Sequence, residues 1–292
     1  MASLIDIRRR LRSVRSTQQI TRAMKMVAAA KLRRAQERVI GARPYAKEIA
    51  DLLASVSRRP GVAKHPLLEA REERRVIVMV VAGDRGLCGA FNTNVHRATA
   101  HLIESHPEWR EIRILPAGKK AVEYWRRRKY PFTEKTYPGI FGDLRYAQAK
   151  EIAAFLSEEF LSDRVDAVYV VANVFRSILS QVVHTSKLLP LAPEMVAPVS
   201  PEPTGAAVEP LYEPSLEEIL AWLLPRYLEF TVYRALAESA AAEMGARMTA
   251  MDSASKNAGE LIDSLTLTYN RARQARITKE LIEIVSGAAA LG

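Results

Sequence analysis

The chain ends in the stretch ITKELIEIVSGAAAL, which covers residues 277–291. This stretch consists of good helix formers, with isoleucine and leucine at spacings of three and four. It carries no charge after Glu283, and its last residues are small. An ordinary surface helix keeps a charged outer side to its end, and this one does not. We therefore expect a helix whose tip inserts into another protein.

A second helical pattern fills the N-terminal segment, residues 1–58. Mostly apolar or small residues recur there in alternating steps of three and four over about seven heptads, more than a coiled coil requires. The positions are Leu4, Ile7, Leu11, Val14, Gln18, Thr21, Lys25, Ala28, Leu32, Ala35, Val39, Ala42, Ala46, Ile49, Leu53 and Val56. Polar Gln18, Thr21 and Lys25 interrupt this seam, so the partner helix is expected to differ there or to be absent. Pro44 predicts a kink.

A matching seam runs through the C-terminal segment, residues 215–292. Its positions are Phe230, Tyr233, Ala237, Ala240, Met244, Arg247, Met251, Ala254, Ala258, Leu261, Leu265, Thr268, Ala272, Ala275, Lys279 and Ile282. Neither helix can bury its stripe alone, and the many alanines permit a close approach of two helices. We predict a long antiparallel coiled coil between the two ends of the chain. The alternative is two unrelated surface helices.

The central segment, residues 75–190, alternates strand-like and helix-like stretches. The continuous apolar run Val76–Ala82 is typical of a strand buried on both faces. The pattern then predicts helices over 90–105, 119–129 and 144–162, strands over 112–116 and 167–172, and a hairpin or edge strand over 177–188. This order indicates a small Rossmann-like α/β domain with a mostly parallel sheet. The proline-rich residues 191–214 are predicted to link this domain to the C-terminal helix.

Composition limits the class of protein. The net charge of +10 implies an acidic partner, which could be nucleic acid, anionic lipid or protein. The single cysteine, Cys88, excludes an intrachain disulfide and indicates a reducing compartment. The apolar runs are far shorter than the ~20 residues of a membrane helix. The arginine-rich start resembles a transit peptide, but the heptad seam already begins at Leu4.

The stretch GDRGLCGAFN, residues 83–92, follows a predicted strand and opens a helix, where a phosphate-binding loop would lie. Its glycine spacing fits neither the dinucleotide nor the P-loop motif, so we favour a structural turn over nucleotide binding.

No catalytic, cofactor or metal site is predicted. The histidines are expected to be solvated, because a five-residue spacing does not align side chains on one helical face. They are His65, His96, His101, His106 and His184. Cys88 has no histidine or acid at the spacing of a nucleophile motif.

A basic cluster marks the first helix: Arg8, Arg9, Arg10, Arg12, Arg15, Arg22, Lys25, Lys31, Arg33 and Arg34. Because these residues are interleaved with the seam, unlike the separate basic region of a zipper protein, we favour an acidic protein sleeve over nucleic acid.

Two motifs identify a family. QITRAMKMVA, residues 19–28, and ITxExxExxxGA, residues 277–288, together with the turn at 83–92, resemble the gamma subunits of bacterial F-type ATP synthases. The resemblance covers nearly the whole chain. It implies a non-catalytic central rotor, peripheral to the cytoplasmic face of the cell membrane, that couples ion flow to ATP synthesis or hydrolysis. The coupling ion, proton or sodium, stays open.

The resemblance also implies partners. The two long helices would turn inside a hexamer of alpha and beta subunits, while the α/β domain would rest on the membrane ring of c-subunits and hold the epsilon subunit. No nucleic acid and no direct membrane span are implied. The implied contacts with the catalytic subunits are Met24, Lys25, Arg247, Arg273, Gln274, Thr278 and Glu280, and those with the c-ring are Tyr212 and Glu213. The alternative function is a Rossmann-type nucleotide-binding enzyme with coiled-coil extensions.

Overall fold

Two long helices, α1 (Leu4–Ser57) and α5 (Leu216–Leu291), begin and end the described chain. The computed structural model describes residues 4–57, 65–191 and 216–291. Between the helices lie a 3₁₀ turn (Pro66–Leu68), β1 (Arg75–Val81), α2 (Phe91–Glu104), β2 (Glu111–Ala117), α3 (Lys119–Arg127), α4 (Tyr146–Leu161), β3 (Ala167–Phe175) and β4 (Gln181–Leu189). Both long helices pass through two compact units. The terminal unit contains Met1–Ala29 and Arg247–Gly292, and the central unit contains Ala30–Ala246.

The terminal unit is an antiparallel helix pair within one chain. Near the start of α1, Arg8 donates a hydrogen bond to the hydroxyl of Tyr269 over 2.7 Å. Further along, Lys25 forms an ion pair with Asp252, with Nζ 2.5 Å from Oδ1. The partner numbers fall as the α1 numbers rise, which confirms the predicted antiparallel coiled coil.

The polar seam positions of α1 lie opposite polar groups of α5. Gln18 donates to the main-chain oxygen of Ser255 over 3.3 Å, and Lys25 reaches Asp252. Thr21 is buried and donates to the Gln18 carbonyl. The partner therefore differs here, as expected, and the expectation that it is absent is wrong.

The seam on α5 ends earlier than the sequence pattern predicts. Residues 273–286 are all exposed, including the predicted seam positions Ala275, Lys279 and Ile282. The register that pairs Arg8 with Tyr269 places the first described residue of α1 opposite Arg273. Beyond that point no described residue of α1 lies opposite α5.

The central unit contains one four-stranded sheet with the order β2-β1-β3-β4. β1 is parallel to both neighbours, and β4 pairs antiparallel to β3 at the edge. This confirms the mostly parallel sheet and the edge strand. The bounds of α2, α3 and α4 agree with the predicted helices to within two residues.

Strand β1 is apolar from Val76 to Val81 because helices cover both of its faces over this stretch. One face buries Ile77, Met79 and Val81 in a core that includes α4 and the central-unit parts of α1 and α5. The other face buries Val76, Val78 and Val80 against α2 and α3. The side chains of a strand alternate between faces, so a strand covered on both sides has no polar position.

Candidate functional site: the exposed end of α5

The end of α5 presents large apolar side chains to solvent. Ile277, Leu281, Ile282, Ile284 and Val285 are between 48% and 67% exposed. A contiguous exposed apolar surface of this kind marks a site of protein interaction. No helix among the described residues is both long and apolar enough to span a membrane.

Polar residues share this segment with the apolar ones. Arg273, Gln274, Thr278 and Glu280, which the sequence singled out, are all exposed. Arg276 donates to Glu280 over 2.7 Å, one turn apart, and this hydrogen bond raises the pKa of Arg276. An exposed pair of this kind is weak. The Glu280 carboxylate can therefore exchange its partner for a group on another protein.

The other predicted contact residues lie further down the pair of helices. Met24 is half-buried, Lys25 is held by Asp252, and Arg247 is 8% exposed. Lys256 contacts the same carboxylate over 3.1 Å. Hydrogen bonds from both lysines lower the pKa of Asp252. Asp252 was not among the predicted contact residues, although it lies one helical turn before Lys256.

The predicted contacts therefore form two groups rather than one site. Arg247 and Arg273 are 26 positions apart on one helix. At ~1.5 Å per residue this separates them by roughly 39 Å. The first group, around Lys25, is bonded into the helix pair, whereas the second is exposed on α5 beyond the described start of α1. Tyr212 and Glu213 lie outside the described residues.

The turn at 83–92 is closed by its own side chains. Asp84 accepts main-chain N–H groups from Lys119, Gly139 and Phe141 at 2.8–2.9 Å. Asn92 accepts the N–H of Gly83 over 2.8 Å. The Asp84 carboxylate thus occupies the N-terminus of α3, where an anion would bind, and it repels phosphate. This arrangement supports a structural turn.

The histidines do not all lie in solvent. His96 is buried at 3% exposure, and its ring stacks on Tyr124 with centroids 3.9 Å apart. Burial and the nearby Arg128 lower the pKa of His96 to about 4. The prediction of a solvated side chain is wrong for this residue. A usable signal was its place beside Val95 and Thr99 on the buried face of α2. Among the described residues, no group of histidine, cysteine or acidic side chains could hold a metal ion.

The chain is similar to known proteins over its whole length. The sequence profile of the ATP synthase family matches residues 3–291. The ATP synthase gamma chain of Desulforamulus reducens is 50% identical over 291 residues, which cover 100% of each chain. That of Chlorobium phaeobacteroides is 48% identical over 296 residues, covering 100% of this chain and 99% of the other.

Solved structures show the same fold. A chain in the central stalk and c-ring structure of the Tetrahymena thermophila mitochondrial ATP synthase superposes with a TM-score of 0.62 at 26% identity, covering 81% of this chain and 99% of that one. A chain in the Euglena gracilis mitochondrial ATP synthase gives a TM-score of 0.66 at 22% identity, covering 99% and 94%.

Proposed function

The chain belongs to the ATP synthase family of gamma chains, and on that premise we propose that it is the central rotor subunit of an F-type ATP synthase. It couples ion flow through a membrane ring of c-subunits to ATP synthesis or hydrolysis at the beta subunits. It does no bond chemistry itself. The complex is attached to a membrane, and we place this chain at its cytoplasmic face.

The observation that carries the proposal is the uncovered end of α5. Residues 273–286 extend past the first described residue of α1 and expose five large apolar side chains. A single helix of this composition is stabilised when a protein surrounds it, because most helical stability comes from packing of the apolar face. A sleeve of alpha and beta subunits supplies that packing on every side.

The transmission of force follows from the asymmetry of the helix pair. α1 and α5 present different residues around the axis, so each orientation places a different face against three otherwise equivalent sites. Differential contacts with the three sites change their relative affinities for nucleotide. The affinity of each catalytic site is thereby coupled to the rotor angle.

The polar residues of the α5 end are the proposed contacts with the catalytic subunits. Arg273, Gln274, Thr278 and Glu280 are exposed, and they offer one cation, one amide, one hydroxyl and one carboxylate. We also propose Met24, Lys25 and Arg247, the group around Lys25, as contacts with the catalytic subunits. Because these residues are at least partly buried, they also stabilise the helix pair. We assign the contact with the c-ring to Tyr212 and Glu213. We assign the contact with the epsilon subunit to the central α/β unit.

The decisive experiment is native mass spectrometry of the chain after co-expression with the alpha and beta subunits of its own source. The expected result is one copy of this chain in a complex with three alpha–beta pairs and ATP hydrolysis that the isolated chain lacks. The proposal fails if the chain purifies alone and binds ATP with micromolar affinity at residues 83–92. That outcome would favour the nucleotide-binding enzyme instead.

A further inference from the structure

A basic groove lies between α1 and α5 inside the terminal unit. Arg8, Arg12 and Arg15 form its α1 side, Tyr269 and Asn270 lie on its α5 side, and its volume is about 590 Å³. This volume falls within the range of small-molecule sites, roughly 300–1,000 Å³. The groove is therefore a concave, ligand-sized feature and not a flat charged face.

The groove concentrates positive charge, because three arginines line it. Its described lining contains no aspartate or glutamate. Arg8 donates to the Tyr269 hydroxyl over 2.7 Å, and this hydrogen bond lowers the pKa of Tyr269. A neutral acceptor orients the guanidinium without cancelling its charge. Three cations in one groove repel each other, and a bound anion would relieve that repulsion.

The spacing of the three arginines places them on the same face of α1. Arg8, Arg12 and Arg15 follow each other at intervals of four and three, so they share one face of α1. Their backbone positions rise by about 6 Å and 4.5 Å along the helix. Guanidinium groups present planar pairs of donors that match the oxygens of phosphate. Gln19 and Asn270 add neutral hydrogen-bonding groups at the same groove.

We propose that the basic groove binds a phosphate-type oxyanion with several negative charges, such as a chain of two or three phosphates. A compact anion fits this cavity better than an extended acidic segment, because the three donors are clustered within two helical turns. The groove uses three arginines of the basic cluster for which an acidic protein sleeve was expected, but none of the individually named rotor contacts, and the inference does not depend on the proposed function. The ligand is either a free oligophosphate or the phosphate tail of a nucleotide.

Isothermal titration of the full-length chain at low salt tests the inference, with tripolyphosphate, magnesium-free ATP and a tetraglutamate peptide as probes. The groove variant is Arg12→Gln with Arg15→Gln. The matched control is Arg9→Gln with Arg10→Gln, which removes the same charge from exposed positions of the same helix outside the groove. Circular dichroism verifies that both variants keep their helices. If the groove variant loses helicity, the single Arg12→Gln replacement takes its place.

The expected result is that tripolyphosphate binds the control within about threefold of the original affinity, whereas the groove variant binds about tenfold or more weakly. If ATP binding is weakened by the groove variant to the same extent, the phosphate tail of a nucleotide is a ligand of the groove. If tripolyphosphate binds and ATP does not, the ligand is a free oligophosphate. Both support the site. Equal losses in the two variants, tighter binding of tetraglutamate, or no binding of tripolyphosphate at millimolar concentration would each overturn it.

Discussion

At the scale of single residues, Gly118 joins β2 to α3 in a conformation that other residues avoid. Its φ is +100°, and a Cβ at this position would lie 1.8 Å from the carbonyl oxygen of Ala82. Both facts come from the same tight turn that lets Asp84 reach the N–H of Lys119. The glycine therefore positions the strand ends that close the loop at 83–92.

Gly118→Ala should destabilise the central unit by about 2–4 kcal/mol, because strain at positive φ adds to the clash with the backbone of Ala82. Urea unfolding of the full-length chain measures the change. Gly41→Ala is the control: Gly41 lies inside α1, and outside the local helix backbone no described atom lies within 4 Å of an added Cβ. That replacement should stabilise by about 0.5–1 kcal/mol. Equal stability of both variants would contradict the argument.

His96 gives the protein a dependence on pH. Its pKa falls from 6.5 to about 4 on folding, chiefly because burial disfavours the charged ring. The unfolded chain therefore binds more protons between these values. The contribution of His96 to stability is complete above pH 6.5 and is lost as the pH falls toward 4.

His96→Phe should keep the stack on Tyr124 and remove this loss. Stability of the original chain should fall relative to the variant by up to about 1.4 kcal/mol per pH unit between pH 6 and 4.5, and by about 3 kcal/mol in total. Denaturant unfolding at several pH values gives both curves. Parallel curves over this range would show that folding leaves the pKa of the His96 ring unchanged.

These residues mark what the sequence could not predict. The place of His96 beside Val95 and Thr99 could have indicated its burial, but its stack on Tyr124, a residue 28 positions away on another helix, leaves no sign in the spacing. Likewise the glycine pattern of residues 83–92 excluded known phosphate loops, but the role of Asp84 needed the positions of Gly139 and Phe141. Contacts that join distant parts of the chain leave no local pattern.

At the scale of elements, periodicity predicted the helices and strands well because each is amphipathic or covered on both faces. Periodicity failed at the C-terminal end of the α5 seam. The apolar spacing of α5 continues to Ile282, yet packing ends near Ala272 because the partner helix begins there. A pattern within one helix cannot show how far its partner extends.

The register of the helix pair can be tested with one engineered crosslink. A Cβ at Gly259 would lie 3.1 Å from the amide nitrogen of Gln18. Gln18 and Gly259 therefore face each other across the pair, and Gln18→Cys with Gly259→Cys should crosslink within one chain, either by mild oxidation or by a short bis-maleimide that spans more than the ~7 Å between Cα atoms that a disulfide allows. The background is Cys88→Ala, and gel mobility without reductant is the measurement.

The control for this crosslink pairs Gln18→Cys with Glu260→Cys, one residue further along α5 and exposed. That position turns about 100° away around the helix, so its crosslink should form much more slowly. Crosslinked dimers of the Gln18 and Gly259 variant would instead indicate pairing between two copies and refute the intrachain register.

At the scale of the whole molecule, two terminal motifs predicted the family, and full-length relatives confirm it. Both motifs lie on the two long helices, and the described part of the second motif is exposed. The roles of individual contact residues stay predictions. Tyr212 and Glu213 lie outside the described residues, and Arg247 is buried in the helix pair.

Replacing Arg273, Gln274, Thr278 and Glu280 together by alanine should leave assembly intact but reduce coupled ATP synthesis by about tenfold or more, a factor that corresponds to 1.4 kcal/mol. The four side chains are exposed, and Glu280 pairs with the neighbouring Arg276, an exposed pair that contributes little to stability. Synthesis by the complex reconstituted in vesicles, normalised to assembled complex, is the measurement.

The matched control replaces Arg271, Asn257, Ser264 and Glu260, which supply the same four chemical groups at other exposed positions of α5. It should keep most of the coupled synthesis. If both quadruple variants lose synthesis equally, torque is not carried by the proposed contacts, and a general loss of helix solubility or charge explains the effect.

The end of helix–helix packing near Ala272 also has a mechanical consequence. Below it, any twist of α5 must deform α1 as well, because their side chains interlock along the seam. Above it, one helix resists alone, with only its own backbone hydrogen bonds and short side-chain pairs. A torque applied at residues 273–286 should therefore twist this single helix more than the paired helices. Most of the elastic energy would be stored in this segment.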